Sequence, residues 1–197
     1  MTIKTPSRLL PLPRTRVQGA IQAWVFLHPE TAFSISEIAR HAGVDRLASQ
    51  REVDSLAAAG LLSEHWRGRS RMVRPNLDNP VVRPLSEALA VAYGPVPVVA
   101  EELDGIDGIE EAHIFGSWAD RYLGRPGRSP ADVDVLVVGT ADQDDLWDAG
   151  RRASNRVGRE VNVTRVRPDE WRHDATSFIR TVKGRPMVTL IGAPNAE

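Results

Sequence analysis

One stretch of the sequence, residues 112–139, constrains the fold more than any other. The apolar run AHIF leads into Gly116 and Ser117, and a polar loop rich in Gly and Pro follows. The loop ends at DVD, whose carboxylates belong to Asp132 and Asp134, and this element opens a second apolar run, VLVVG. Short apolar runs bounded by turn residues predict strands. Because alternate residues of a strand face the same side, the two aspartates would present paired carboxylates, with Cα atoms about 7 Å apart.

The residue types around this loop suit a metal–phosphate ligand. Paired carboxylates hold hard divalent cations, which prefer oxygen ligands, and paired metals roughly 3.5–4 Å apart clamp an in-line phosphoryl displacement. Gly116 lets a phosphate approach the backbone closely, and Ser117 adds a hydroxyl donor. Taken singly, Asp-x-Asp at a strand start is usually a solvated end or a cap, and Gly-Ser is usually a turn. Both elements in this order on two apolar strands form a more specific pattern.

The order of these elements resembles the minimal nucleotidyltransferase domain of the polymerase-β-like superfamily, over roughly residues 98–192. The resemblance implies a mixed sheet with flanking helices, and an NTP as substrate or ligand with Mg²⁺ or Mn²⁺ as cofactor. It implies that Asp132 and Asp134 are catalytic metal ligands. It also implies that Gly116 and Ser117 contact the nucleotide phosphates.

The chain departs from this family in two places. The family supplies a third acid from a later strand, and alignment of the valines in EVNV puts Asn162 at that position. Asn can ligate through its carbonyl oxygen but cannot act as a general base near neutral pH. Glu160, on the same face, either substitutes as a third catalytic residue or is a solvated residue at the strand entrance. Many relatives read Ala-Arg-Gly where this chain has Asp-Arg, and Arg121 either reaches the triphosphate or pairs with Asp120 on the surface.

Further along, the pattern predicts a helix capped by Asp142 or Thr140, a strand, a helix over residues 168–184 and a final strand. Pro168 fits the first turn of that last helix. The aromatic residues of these helices are expected in the core, and they are Trp147, Trp171 and Phe178.

The N-terminal half reads as three helices followed by a basic hairpin. Apolar periodicity predicts a helix over residues 17–27. A second helix begins at a cap supplied by Ser34 or Ser36, and a third is capped by Asp45 with Leu47 on its inner side. The run HWRGRSRMVRPN then predicts a hairpin with Arg-Gly-Arg at its tip.

Residues 35–74 resemble the DNA-binding half of small winged helix-turn-helix regulators. In such domains the second helix of the pair lies in the major groove and the wing lies along the backbone. By position, the candidate DNA contacts are Arg46, Ser49, Gln50, Arg67, Arg69 and Arg71. Basic hairpin tips are also common solvated features, and winged helices also serve as dimer or docking modules. Trp66 is expected to pack under the wing.

The predicted class is a two-domain α/β (α+β) protein. Its parts are a flexible arm (1–16), a winged helix-turn-helix DNA-binding domain (17–76), a linker with a helix (77–96) and a nucleotidyltransferase-like domain (97–197). The net charge is +5 over residues 1–76 and −6 over residues 77–197. This asymmetry favours two domains with different partners.

Composition excludes several kinds of site. The chain has no Cys, which excludes disulfides, thiol nucleophiles and cysteine zinc sites and suits a reducing cytoplasm. No apolar run approaches the length of about 18 residues that a membrane span needs, so no membrane partner is expected. The five His show no metal-ligand spacing, and His113 is expected to be structural.

Three functions fit these patterns. The first is a DNA-binding transcriptional regulator whose second domain binds metal–NTP and transfers a nucleotidyl group to an acceptor hydroxyl. The second is a catalytically inactive repressor that senses a nucleotide, and the third is an antitoxin-like partner of a neighbouring gene product. A homodimer on double-stranded DNA is expected, because such regulators bind two-fold sites.

Overall fold

The computed structural model describes residues 11–127 and 130–192, so the first ten residues of the expected arm lie outside it. The chain divides into two compact units, Met1–Gly94 and Pro95–Glu197. Helices and two separate sheets occur together, and the class is α+β. In the part of the chain that is described, no helix has the length and apolar character needed to cross a membrane.

The described part of the N-terminal unit combines helices with a small antiparallel sheet of strand order β1-β3-β2. Ser34 and Glu37 form a reciprocal capping box at the second helix, and Gly43 ends that helix in the left-handed conformation. Both are local signals that the sequence carries. The elements are α1 Arg16–Phe26, β1 Phe33–Ser34, α2 Ile35–Ala42, α3 Arg46–Ala58, β2 Leu62–Arg67, β3 Ser70–Pro75 and α4 Val82–Tyr93.

The inner face of α3 differs from the expected one. Leu47 is 59% exposed, so its assignment to the core was wrong. The buried stripe of α3 instead contains Glu52, whose carboxylate accepts hydrogen bonds from Gln18 Nε2 at 2.9 Å and from Gln22 Nε2 at 2.7 Å. The amides of α1 therefore satisfy a buried acid that apolar periodicity cannot place.

The segment for which a linker was predicted contains α4, which packs on the N-terminal unit. Val82, Leu85 and Leu89 belong to the same buried cluster as the apolar residues of α1 and α3. A Cβ at Gly19 would collide with the ring of Tyr93, so α1 and α4 approach closely only because residue 19 is Gly.

The C-terminal unit is built on a mixed sheet of strand order β6-β5-β4-β7. Strand β4 is antiparallel to β5 and β7, whereas β5 and β6 are parallel. Apolar residues on opposite faces of β5 enter two separate buried clusters, so both faces of the sheet are covered. The elements are α5 Pro95–Leu103, β4 Ile109–Phe115, α6 Gly116–Tyr122, β5 Asp132–Gly139, α7 Gln143–Val157, β6 Glu160–Val166, α8 Pro168–Arg172, α9 Ser177–Lys183 and β7 Val188–Ile191.

The single helix expected over residues 168–184 is two helices. Between α8 and α9, Asp174 has a φ of 51°, in the left-handed region that ends a helix. Thr176 then caps α9, its side chain accepting from the N–H of Ile179 at 3.2 Å. A left-handed non-Gly residue breaks the helix at a position where the apolar periodicity continues.

The aromatic residues expected in this core have different environments. Trp171 is buried and stacks on His113 with ring centroids 6.0 Å apart. His113 is fully buried and lies 3.0 Å from a carboxylate oxygen of Glu111, so its structural role is confirmed. Phe178 contacts Phe115 edge-on while remaining partly exposed. The core assignment of Trp147 was wrong, because it is 61% exposed.

Candidate functional site

The turn from β4 into α6 brings the backbone against a carboxylate. Phe115, the last residue of β4, pairs in register with Asp134 of β5. Gly116 follows with a φ of 72°, and a Cβ built on it would lie 2.9 Å from Oδ2 of Asp134. The left-handed conformation therefore favours glycine at this position, and a side chain here would require the Asp134 carboxylate to shift.

Asp132 and Asp134 lie half-buried on one face of β5, and the intervening Val133 is buried on the other. Burial raises the pKa of the Asp134 carboxyl, the negative charge of Asp132 raises it further, and a hydrogen bond from the Asn162 side chain opposes both effects. Ionisation of Asp134 in this site therefore costs free energy, and a nearby positive charge would reduce that cost.

On the neighbouring strand β6, the side chain beside Asp134 is the amide of Asn162 and not a third carboxylate. In the parallel register of β5 and β6, Asn162 lies opposite Asp134 and Glu160 lies opposite Asp132. Asn162 is half-buried and Glu160 is exposed at the start of its strand. The Glu160 carboxylate is thus next to the aspartate pair, at the solvent-exposed start of β6.

These donors fit a divalent cation shared with a phosphate ligand. Magnesium in proteins is often held by one or two carboxylates, with water and substrate phosphate oxygens completing the octahedron. Asp132 and Asp134 provide such a pair, and the backbone of Gly116 lies close to the Asp134 carboxylate. No cluster of three or more His, Cys, Asp or Glu that suits a metal occurs within the described ranges. A cation here would therefore depend on ligand oxygens as well.

Two other candidates for nucleotide binding lie on α6. Ser117 is exposed at the second position of the helix. The Arg121 guanidinium donates from Nη1 to the carbonyl of Arg125 at 2.8 Å, and it fills the space beside Gly127. Arg121 is therefore engaged with its own loop. The expected alternative, an ion pair between Arg121 and Asp120, was wrong, since Asp120 pairs with Arg125 at 3.2 Å.

In the N-terminal unit, the candidate DNA contacts on α3 divide into exposed and buried residues. Arg46 is exposed and Gln50 is half-exposed. Ser49 is fully buried, and its hydroxyl donates to the carbonyl of Ile35 at 3.4 Å. Its assignment as a DNA contact is therefore corrected, because the hydroxyl secures α3 to α2.

Two of the three arginines proposed as DNA contacts on the β2–β3 hairpin are exposed to solvent. Gly68 has a φ of 59° at the first central position of the turn, the position that takes positive φ in a type II′ turn. Arg67 and Arg69 flank it and are exposed. Trp66 is 70% exposed, so the expectation that it packs under the wing was wrong.

Arg71 is not a free contact. Its guanidinium forms ion pairs with Asp54 of α3 and Glu64 of β2, and these hydrogen bonds raise its pKa. Arg71 therefore ties the hairpin to α3. Sequence patterns do not indicate the pair with Asp54, because only folding brings α3 and the hairpin together.

The candidate residues thus form one site in the C-terminal unit and one surface in the N-terminal unit. The first combines Gly116 with Asp132, Asp134 and Asn162. The second combines an exposed face of α3 with the tip of the hairpin. No family model matches the chain, and no curated protein matches it.

Proposed function

We propose that the C-terminal unit is a nucleotidyltransferase of the polymerase-β-like type, and that the N-terminal unit is a winged helix-turn-helix that binds double-stranded DNA. The observation that carries the first part is the approach of the Gly116 backbone to Asp134, so close that a Cβ at residue 116 would displace the carboxylate. A phosphate chain lying on this turn would reach the aspartate pair directly. Such an arrangement supports a ligand that combines phosphates with a divalent cation.

The proposed reaction transfers a nucleotidyl group from an NTP to an acceptor hydroxyl. The hydroxyl oxygen bonds to the α-phosphorus, the bond from that phosphorus to the bridging oxygen breaks, and pyrophosphate leaves. Glu160 takes the hydroxyl proton, because Asn162 cannot. A divalent cation held by Asp132 and Asp134 would supply charge neutralisation for the phosphates.

The turn orients the phosphates for this reaction. Gly116 admits them close to the backbone, and the exposed Ser117 hydroxyl donates a hydrogen bond to them. Positioning and electrostatics supply most of the rate in phosphoryl transfer, so a rigid turn with few chemical groups is sufficient.

One observation favours a second function for the same site. Asn162 occupies the register position opposite Asp134, where a third acid would serve as base. Without that acid, the unit would bind the nucleotide and not turn it over, and the protein would be a nucleotide-sensing repressor.

The DNA-binding part rests on the exposed polar and basic residues of the N-terminal unit. Arg46 and Gln50 lie on α3, and Arg67 and Arg69 lie at the hairpin tip. Arginines on phosphates give affinity that falls steeply with salt, whereas base contacts from α3 give sequence preference. We place this activity in the cytoplasm and assign it to a homodimer, whose two-fold symmetry would match a two-fold DNA site.

Label transfer from the four α-³²P-NTPs tests the enzyme. The full chain is incubated with Mg²⁺ or Mn²⁺ and with host RNA and protein as acceptors. Asp134→Asn keeps the shape of the residue and removes its charge, and we expect it to abolish transfer. The matched control is Asp107→Asn, an exposed aspartate in the turn before β4, at the opposite end of the sheet.

Transfer by the wild type and by Asp107→Asn, with none by Asp134→Asn, supports the enzyme. Equal transfer by all three proteins would exclude this site as the catalyst. If no protein transfers label, the sensing function is tested by fluorescence anisotropy on DNA upstream of the gene, against random duplex, with and without NTP and Mg²⁺. A DNA affinity that depends neither on the DNA sequence nor on the presence of NTP and Mg²⁺ would exclude the repressor.

A further inference from the structure

The β2–β3 hairpin presents an aromatic ring near its tip, on the side that is turned toward α3. Trp66 pairs in register with Arg71, and directly opposite residues of an antiparallel pair lie on the same face. Arg71 reaches Asp54 of α3 from that face. Leu62, on the same strand face, is buried in the core, whereas Trp66 is 70% exposed. The hairpin thus extends past the core and leaves the indole in solvent.

The surface around this ring is basic. Arg67 and Arg69 are both exposed at the turn of the hairpin. Two acids on the same side, Asp54 and Glu64, are already paired with the guanidinium of Arg71. The charge that a partner meets beside the ring is therefore that of the two arginines at the turn.

Charge makes a DNA duplex a better partner for this tip than a second copy of the chain. Residues 1–76 carry a net charge of +5, so two copies of this region would repel each other. The minor groove of DNA attracts arginine through its negative potential, and apolar side chains can enter it between neighbouring base pairs. The ion pairs of Arg71 hold the hairpin on α3, so the ring has a fixed position from which to displace stacked bases.

We propose that Trp66 inserts between two base pairs from the minor groove and kinks the duplex, while Arg67 and Arg69 contact phosphates on either side. This inference rests on the proposed DNA binding, and it adds a contact that depends on how easily a base step unstacks. Pyrimidine–purine steps such as TA are flexible and easily kinked, whereas A-tracts are stiff. The protein therefore prefers a duplex with a TA step under the hairpin tip, although Trp66 makes no hydrogen bond to a base.

Two duplexes of about 20 base pairs test the insertion, one with a central TA step and one with a central A-tract. Energy transfer between dyes at the two ends reports bending, and fluorescence anisotropy reports the affinity of the full chain. Trp66→Ala removes the ring from an exposed position, so the variant is expected to fold, and Trp66→Phe keeps a ring. Leu77→Ala is the matched control, because Leu77 is 67% exposed and follows β3 at the end of the hairpin away from the tip.

We expect the wild type and Leu77→Ala to prefer the TA duplex and to bend it. Trp66→Ala should bind this duplex about tenfold more weakly, as for the loss of one base–aromatic contact, and should lose both the preference and the bend. Trp66→Phe should recover most of the loss. The log–log slope of affinity against salt should stay unchanged in Trp66→Ala and become shallower by about one in Arg69→Ala, because only the arginine neutralises a phosphate.

Three results would overturn the inference. The first is equal affinity, step preference and bending in Trp66→Ala and the wild type. The second is wild-type binding without bending, because the ring would then lie on the surface of the duplex. The third is a lower molar mass of Trp66→Ala than of the wild type in light scattering without DNA, because the ring would then join two copies of the chain.

The outcomes separate this inference from the function beneath it. Binding of duplex by the wild type with unaltered binding and bending by Trp66→Ala contradicts the insertion and leaves DNA binding by the N-terminal unit intact. Failure of the wild type to bind either duplex at low salt contradicts both.

Discussion

Replacing Gly116 with alanine tests whether the turn and the carboxylate are coupled. Gly116 has a φ of 72°, and a left-handed conformation costs an L-residue about 1–2 kcal/mol. The new Cβ would also lie 2.9 Å from Oδ2 of Asp134, so the carboxylate must leave its position. Forcing a side chain off its rotamer costs about 0.5–1.5 kcal/mol. We expect Gly116→Ala to lower the free energy of unfolding by about 1.5–3.5 kcal/mol in total.

A second glycine provides a matched control for the free-energy cost of the left-handed backbone conformation alone. Gly105 has a φ of 78°, and a Cβ there would meet nothing within 4 Å. Gly105→Ala therefore carries the left-handed penalty alone, about 1–2 kcal/mol. A melting temperature in a unit of this size falls by roughly 4–8 °C per kcal/mol, so calorimetry of both variants resolves the difference.

A double-mutant cycle identifies the source of the excess. In an Asp134→Ala background the carboxylate is absent, and Gly116→Ala should then cost no more than Gly105→Ala. If the two glycine variants lose the same stability in the wild-type background, the crowding of Asp134 by residue 116 is refuted. An excess that persists without the carboxylate would refute it equally.

Two further predictions concern charge. Because the folded-state pKa of Asp134 is raised, its favourable contribution is complete below the ordinary pKa of 3.8 and is lost as the pH rises through the raised value. Asp134→Asn should therefore be more stable than the wild type at pH 7, with a gap that closes toward pH 4 in urea unfolding; a gap that widens on acidification contradicts the assignment. Arg71→Met should lower stability by about 1–2 kcal/mol, since two ion pairs in a network are lost, whereas Arg83→Met removes one exposed pair and should cost under about 0.5 kcal/mol. Equal losses in these two variants would show that Arg71 does not hold the hairpin to α3.

Local signals in the sequence predicted the elements that they directly control. The Ser34 cap, the Gly43 end of α2 and the Asp45 cap of α3 each depend on hydrogen bonds within a few residues. The alternation of β5 likewise predicted that Asp132 and Asp134 share one face, and both are half-buried there. These features follow from backbone geometry, which sequence spacing determines.

What the sequence did not predict depends on tertiary contacts. Trp66 and Trp147 were assigned to packing by residue type, yet the folded units leave both exposed. Arg71 was assigned to DNA by its position in a basic hairpin, whereas its guanidinium pairs with Asp54 of α3 and with Glu64 of the neighbouring strand β2. Asp174 breaks a helix whose apolar period continues through it. The arrangement of the folded unit, which residue type and periodicity do not encode, thus decides the environment of these residues.

Binding of Mn²⁺ in the presence of a non-hydrolysable NTP analogue, followed by electron paramagnetic resonance, tests whether Gly116 and the aspartate pair form a metal–nucleotide site. The measurement needs neither an acceptor nor turnover, and it therefore covers the enzyme and the sensor alike. We expect Mn²⁺ to bind to the wild type and to Asp107→Asn, and its affinity for Asp134→Asn to be at least tenfold lower, which is about 1.4 kcal/mol. Equal Mn²⁺ binding by all three proteins, or none by the wild type, would contradict a metal–nucleotide site at Gly116 and Asp134.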